Sequence, residues 1–321
     1  MQLLVRRAGF LTTVQDLGRA GFRASGVSTG GALDAHALRI ANLLVGNEEN
    51  AAGLEITLGT VRLEFETERL IAWCGGAFQV RIGSDAIPAG RVARANRGEE
   101  LQLIAPPEGA RAWLAISGGI DVPLVLGSRS TDLRSGFGGL EGRTLRDGDR
   151  LPLAPAVIDR RYRGRVADWF APDEWAQTRT RHGFLRVVRG AEWGDFDRAA
   201  LLGNSFAVTP ESDRMGVRLQ GAPLPRNNAI ELLSEAVAPG TIQVPPNGQP
   251  ILLLGDCQTI GGYPKIAHVI SVDLPAAAQL RPGDQVRFVE VALGEAQRLL
   301  HERERDLERF RVGVKLRSQW S

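Results

Sequence analysis

The chain has 321 residues, enough for two domains or one large one, because single hydrophobic cores stop growing at roughly 250–300 residues. Lys and Arg total 39 against 37 Asp and Glu, with no block of like charge, so no surface is set aside for nucleic acid or for an anionic membrane. The N-terminus lacks a secretory pattern and no apolar run approaches the roughly 18 residues of a membrane span, which gives a cytoplasmic expectation; Cys74 and Cys257 are reduced by default there, although a disulfide between them stays open.

In chain order, residues 33–45 carry Ala37, Ile40, Ala41 and Leu44 at helical spacing and stop at Gly46, the pattern of a helix packing one face on a sheet. Asp34, Asn42 and Asn47 read as hydrogen-bonding residues of the helix ends, with Asp34 also able to face a ligand. Gly26-Val-Ser-Thr-Gly30 has the spacing of a nucleophile elbow, but Arg23-Ala-Ser25 before it is not a buried strand. Strands are expected at 60–65, 77–82, 100–104, 112–116, 251–254 and 285–291, several alternating apolar with polar residues. A short helix is expected at 196–202 with Asp195 as its cap, and an exposed amphipathic helix at 294–310. With 38 glycines and 17 prolines to make turns, the fold class is mainly β with a few short helices, not a βαβ protein.

The chain also echoes itself. Thr144-Leu-Arg-Asp-Gly-Asp-Arg-Leu-Pro-Leu153 resembles Gln279-Leu-Arg-Pro-Gly-Asp-Gln-Val-Arg-Phe288, Trp113-Leu-Ala-Ile-Ser-Gly-Gly119 resembles the stretch from Ile251, and Gln15-Asp-Leu-Gly-Arg-Ala-Gly21 resembles Ser212-Asp-Arg-Met-Gly216. Three echoes in one order argue for two copies of a β-rich domain, against chance recurrence of Gly-Asp turns. The expected parts are 1–155, a link at 156–182, 183–293, and a charged helix or tail at 294–321. If the halves are related by approximate two-fold symmetry, equivalent loops would face a shared cleft.

The densest chemistry follows the apolar run at 251–254. There Asp256, Gln258, Thr259, Tyr263 and Lys265 sit between Gly255, Gly261, Gly262 and Pro264, more polar side chains than a connecting loop needs. The bland reading is a satisfied internal polar network. Cys257 lies in the same loop, as a nucleophile or as a small buried apolar residue. In Ser212-Asp-Arg-Met-Gly-Val-Arg218, Arg214 and Arg218 could grip a carboxylate or phosphate, or pair internally with Asp213. Arg129 and the backbone of Gly127-Ser-Arg-Ser-Thr131, with the glycines at 138–142, would suit an anion or serve only as turns. No metal site is expected from His36, His182, His268 and His301, which are far apart, and there is no Gly-Lys pair for a P-loop.

Six ordered motifs, Val14-Gln-Asp-Leu-Gly-Arg19, Gly26-Val-Ser-Thr-Gly-Gly-Ala-Leu-Asp34, Ala41-Asn-Leu-Leu-Val-Gly-Asn47, Leu126-Gly-Ser-Arg-Ser-Thr131, Ser212-Asp-Arg-Met-Gly-Val-Arg-Leu219 and Gln258-Thr-Ile-Gly-Gly-Tyr-Pro-Lys265, resemble the biotin-dependent carboxyltransferase-like family. That family includes the C subunit of bacterial ATP-dependent 5-oxoprolinases, the antagonist KipA and the second half of the urea carboxylase carboxyltransferase domain. The resemblance implies two cyclophilin-like β-barrels and work beside a KipI-like B-type partner and a LamB/YcsF-like A-type partner. The implied reaction is the opening of 5-oxo-L-proline to L-glutamate with ATP as co-substrate of the complex, by an amidohydrolase component that is active only when assembled. The chain carries no Met-Lys-Met biotin-attachment motif of its own. For that reaction Lys265 and Arg214 are the expected phosphate or carboxylate binders, Asp256 or Asp213 the acid/base, and Tyr263 and Gln258 the orienting residues; Thr259, Arg218, Arg129 and Asp34 complete the candidate binding set. A urea-type carboxyl transfer and a non-catalytic regulator that antagonises a kinase inhibitor are the competing functions.

Overall fold

Alternate residues of Thr60–Phe65 are enclosed: Val61, Leu63 and Phe65 have no exposed surface, while Arg62 faces solvent. A period of two with one apolar face is what a sheet packed on one side imposes. The computed structural model describes residues 1–156, 164–178, 183–227 and 232–320. It divides into one unit of Met1–Arg19, Gly30–Arg179 and Asp306–Ser321 and another of Ala20–Thr29 and Thr180–Arg305. Residues 20–29, expected in the first half, thus group with the second. Of the link expected at 156–182, residues 157–163 and 179–182, His182 among them, lie outside the described residues.

The first unit begins with β1 (Gln2–Ala8), β2 (Leu11–Gln15), α1 (Ala35–Leu44), β3 (Gly53–Thr57), β4 (Thr60–Phe65) and β5 (Arg69–Gly75). It continues with β6 (Gln79–Ile82), β7 (Asp85–Ala86), β8 (Arg91–Ala95), β9 (Glu100–Ile104), β10 (Arg111–Ile116), β11 (Arg150–Pro152), β12 (Val166–Phe170) and α2 (Asp173–Ala176). These strands form two six-stranded sheets, ordered β11-β1-β4-β9-β6-β7 and β12-β8-β5-β10-β3-β2. Leu3, Leu63 and Leu103 from the first and Leu54, Ile71 and Leu114 from the second meet in one core. The outer edge of β2 is closed by a later segment, with Thr131 N–H donating to Val14 O and Leu145 N–H to Thr12 O, both at 2.9 Å. That cover removes an open strand edge. Helix α1 packs on β5 and β10, as its apolar spacing requires.

The second unit contains β13 (Phe184–Arg189), α3 (Arg198–Gly203), β14 (Phe206–Val208), β15 (Gly216–Gln220), β16 (Glu235–Ala236), β17 (Thr241–Gln243) and β18 (Ile251–Leu253). There follow β19 (Ile260–Gly261), β20 (Lys265–Val269), α4 (Leu274–Ala277), β21 (Gln285–Glu290) and α5 (Leu293–Trp320), whose residues from Asp306 onward group with the first unit. Seven strands close a barrel in the order β13-β20-β17-β18-β15-β14-β21, with the parallel β13–β21 pair among its antiparallel neighbours. Among the described residues, strands β16 and β19 pair only with each other, as a ribbon outside that ring. The helix expected at 196–202 with Asp195 as cap is displaced by two residues: Asp197 caps α3 by accepting Ala199 N–H at 2.9 Å. The reason is that Trp193–Asp195 forms a 3₁₀ turn, Phe196 is extended, and the Asp195 carboxylate instead accepts from Arg226 at 2.8 Å.

The two Gly-Asp turns that echo in sequence are built alike. Arg146 N–H donates to Asp149 Oδ2 at 2.7 Å and Arg281 N–H to Asp284 Oδ2 at 2.8 Å. Gly148 N–H reaches Val5 O at 2.7 Å, and Gly283 N–H reaches Val208 O at 2.8 Å. Both glycines are left-handed, with φ +91° and +93°, which a side chain would strain.

Candidate functional site

Lys265 opens β20 and is almost fully enclosed, at 7% exposure. Its backbone is fixed by Glu192, whose Oε2 accepts Lys265 N–H at 2.7 Å and whose own N–H donates to the Lys265 carbonyl at 3.3 Å. Gly190 makes this wrap possible, because a Cβ there would stand 2.0 Å from the Lys265 carbonyl oxygen. The ammonium lies 2.5 Å from Glu235 Oε2 and 4.0 Å from Glu192 Oε2. Glu235 is thereby held below the usual carboxylate range, first by the hydrogen bond from Lys265 and then by its charge. On the same strand His268 is pushed down by burial, and next by the Lys265 charge, with Glu192 opposing; its Nδ1 lies 3.2 Å from Thr241 Oγ1.

Beside Lys265 stands a row of amides. Gln243, the partner of Lys265 across the β17–β20 ladder, is 1% exposed and donates to Tyr263 O at 3.2 Å. Gln258 donates to Gln243 Oε1 at 3.3 Å. Gly261 lies flat on this row: a Cβ there would sit 2.8 Å from Gln243 Nε2. Tyr263 is 46% exposed, while Thr259 is buried and its carbonyl accepts Val237 N–H at 3.1 Å. Lys265 and Gln258 are therefore gathered into one cluster with Glu192, Glu235, Gln243, Thr241 and His268, which Tyr263 joins through its carbonyl.

The other candidates have different surroundings. Asp256 takes two bonds from Arg214, Nε to Oδ2 at 2.8 Å and Nη2 to Oδ1 at 3.0 Å, with both side chains nearly enclosed. A carboxylate with both oxygens committed to one guanidinium suits a structural pair better than a proton carrier. Asp213 is exposed and closes a tight turn by accepting Met215 N–H at 2.8 Å; Arg218 is exposed on β15, and Arg214 turns to Asp256, so the alternative of an Asp213–Arg bridge gives way to the Arg214–Asp256 pair. In the first unit Asp34 caps α1, accepting Ala37 N–H at 2.8 Å, and takes Thr178 Oγ1 at 2.8 Å. Arg129 binds Val122 O and Asp121 at 2.9 and 3.0 Å. The anion that its loop cradles is the chain's own Asp16, buried and bonded by Ser128 Oγ, Ser130 Oγ and Arg129 N–H, each at 2.6 Å. Cys257 is fully enclosed and its thiol is pushed up by burial, with Arg23 opposing, a setting that keeps it protonated.

Sequence reasoning missed Glu192, Glu235, Gln243 and Thr241. Glu192 lies 73 positions from Lys265 and Glu235 lies 30, and neither sits in a motif of its own, so no local pattern marks them. Among the described residues no group of three or more His, Cys, Asp or Glu could hold a metal ion, and no helix is long and apolar enough to cross a membrane.

A mainly β chain with a closed barrel and a lysine-centred polar cluster is matched by the family described as carboxyltransferase domain, subdomain A and B, over residues 25–290; the chain belongs to that family. It is 46% identical over 311 residues to the 5-oxoprolinase C subunit of Escherichia coli (strain K12), covering 96% of this chain and 97% of that one. It is 38% identical over 302 residues to the 5-oxoprolinase C subunit of Haemophilus influenzae, covering 93% and 94%. The urea amidolyase of Saccharomyces cerevisiae is 31% identical over 96% of this chain but 18% of its own length. Among solved structures, TTHA0988 superposes with a TM-score of 0.80 at 34% identity over 90% of this chain, which spans 55% of that one. The K. lactis urea amidolyase superposes at 0.87 with 29% identity over 96% of this chain, which spans 20% of that one.

Proposed function

We propose that this chain is the C-type component of an ATP-dependent 5-oxoprolinase, acting as an amidohydrolase only when assembled with a KipI-like B-type partner and a LamB/YcsF-like A-type partner. The observation that carries this reading is the 46% identity to the C subunit of E. coli 5-oxoprolinase over nearly the whole length of both chains. A lactam amide is a poor electrophile. Phosphorylation of its carbonyl oxygen by ATP makes ring opening by water feasible, and the step needs a fixed cation for the developing charge and donors that orient the ring. In this proposal Lys265, aimed by Glu192, holds the carboxylate of the substrate, and Gln243, Gln258 and Tyr263 orient the lactam ring on which the charge develops. Neutral His268 is a better placed proton carrier than Asp256 or Asp213, since Asp256 is committed to Arg214 and Asp213 to its turn.

The similarity to urea amidolyases favours a second reading, carboxyl transfer in a urea-type carboxylase, with biotin arriving on another protein. The two are separated by assembling the chain with its A- and B-type partners. 5-Oxoproline-dependent ATP hydrolysis that disappears when any one part is omitted supports the first. Carboxylation of urea with a biotinylated carrier supports the second, and partner binding without either turnover supports a regulatory role.

A further inference from the structure

We infer that Glu235 is a displaceable internal carboxylate, standing on Lys265 where the carboxylate of a small acid binds, and that the β16–β19 ribbon lifts when that ligand arrives; this deepens the 5-oxoprolinase reading and rests on it. The two acids at Lys265 differ in standing. Glu192 is tied to the Lys265 backbone from both sides and its side chain is 14% exposed. The Glu235 side chain is 63% exposed, although it makes the closer contact with the ammonium.

Glu235 also sits on a ribbon of two-residue strands outside the barrel's hydrogen-bonded ring. The ribbon is rooted at Val237, buried against Leu253 and Cys257 and bonded to Thr259 O, while its outer end at Glu235 has only a two-residue ladder and an ion pair with one exposed partner to hold it. Exchange of Glu235 for a ligand carboxylate conserves charge and donor geometry, with no bond formed or broken and no proton moved. The other strand of the ribbon lies on the amide row, where a Cβ at Gly261 would stand 2.8 Å from Gln243 Nε2. Lifting it uncovers Gln243 and Gln258, whose amides pair with the carbonyl and N–H of a lactam ring. Charge, size and the neighbouring amides together select a carboxylate attached to an amide, in preference to a phosphate.

The test uses Glu235→Ala and Glu235→Gln in the full chain, assembled with its partners. Removing the internal competitor is expected to lower KM for 5-oxoproline by about two- to fivefold, the range one such ion pair can hold back, with KM for ATP unchanged. Glu235→Gln keeps the shape without the charge and is expected to move KM the same way. An unchanged or raised KM for 5-oxoproline in both variants overturns the inference, as does a shift in KM for ATP instead. If the wild-type complex shows no 5-oxoproline turnover, the functional reading fails separately. The inference is then read by calorimetric titration of the wild-type chain and Glu235→Ala with 5-oxoproline and with succinate, and tighter binding by neither overturns it.

Discussion

Arg129, Arg214 and Lys265 stand out in the sequence as cations beside constrained loops, and each faces a carboxylate of the same chain. For Arg214 the pairing with Asp256 is bidentate and buried, at 5% and 6% side-chain exposure. Burying two charges is repaid only while both are present, so breaking such a pair costs about 3–5 kcal/mol. Asp256→Asn is therefore expected to destabilise the protein by about that amount in urea unfolding. A variant that keeps wild-type stability while the assembled complex loses turnover would return Asp256 to the catalytic acid/base role. The cations were legible because an Arg or Lys within three residues of a glycine is conspicuous in a string of letters. Their pairings were not, because Asp256 lies 42 positions from Arg214 and Glu235 lies 30 from Lys265, and only the fold brings them together.

Strands with one enclosed face were readable from alternation: β4 and β9 have the bounds their pattern predicts, and β10 starts one residue early. The ribbon was not, because two-residue strands are too short to show a period. The glycines at 138–142 read equally as an anion cradle and as turns, and their packing decides between the two. A Cβ at Gly138 would fall 2.1 Å from Ser130 O, and one at Gly139 would fall 1.9 Å from Thr131 Oγ1, both residues being left-handed. These glycines let one loop lie against the strand-like segment that holds Asp16. Gly138→Ala is expected to cost about 1–3 kcal/mol from backbone strain alone, seen as a lowered unfolding midpoint. Full stability with impaired ligand binding would instead favour the cradle.

At the scale of the whole chain, the Gly-Asp turns that repeat in letters repeat their hydrogen bonds as well. What differs is closure: the second unit is a ring of seven strands, whereas the first is two six-stranded sheets around one core. Its sheet edge at β2 is finished by the segment around 131–145, which no periodic pattern announces. The long C-terminal helix was legible in kind, but it runs beyond 310 to Trp320, anchored by Leu307 at 1% exposure and by the edge-on packing of Phe310 against Trp175 at 5.8 Å. Family and function rest on the near full-length likeness to 5-oxoprolinase C subunits, and the site rests on Lys265. The most direct measurement is 5-oxoproline-dependent ATP hydrolysis by the assembled complex carrying either the wild-type chain or Lys265→Met. The account predicts activity for the wild type and a fall of about 10- to 100-fold in kcat/KM for the variant, the loss expected of one charge-assisted hydrogen bond; equal activity of the two complexes would contradict it.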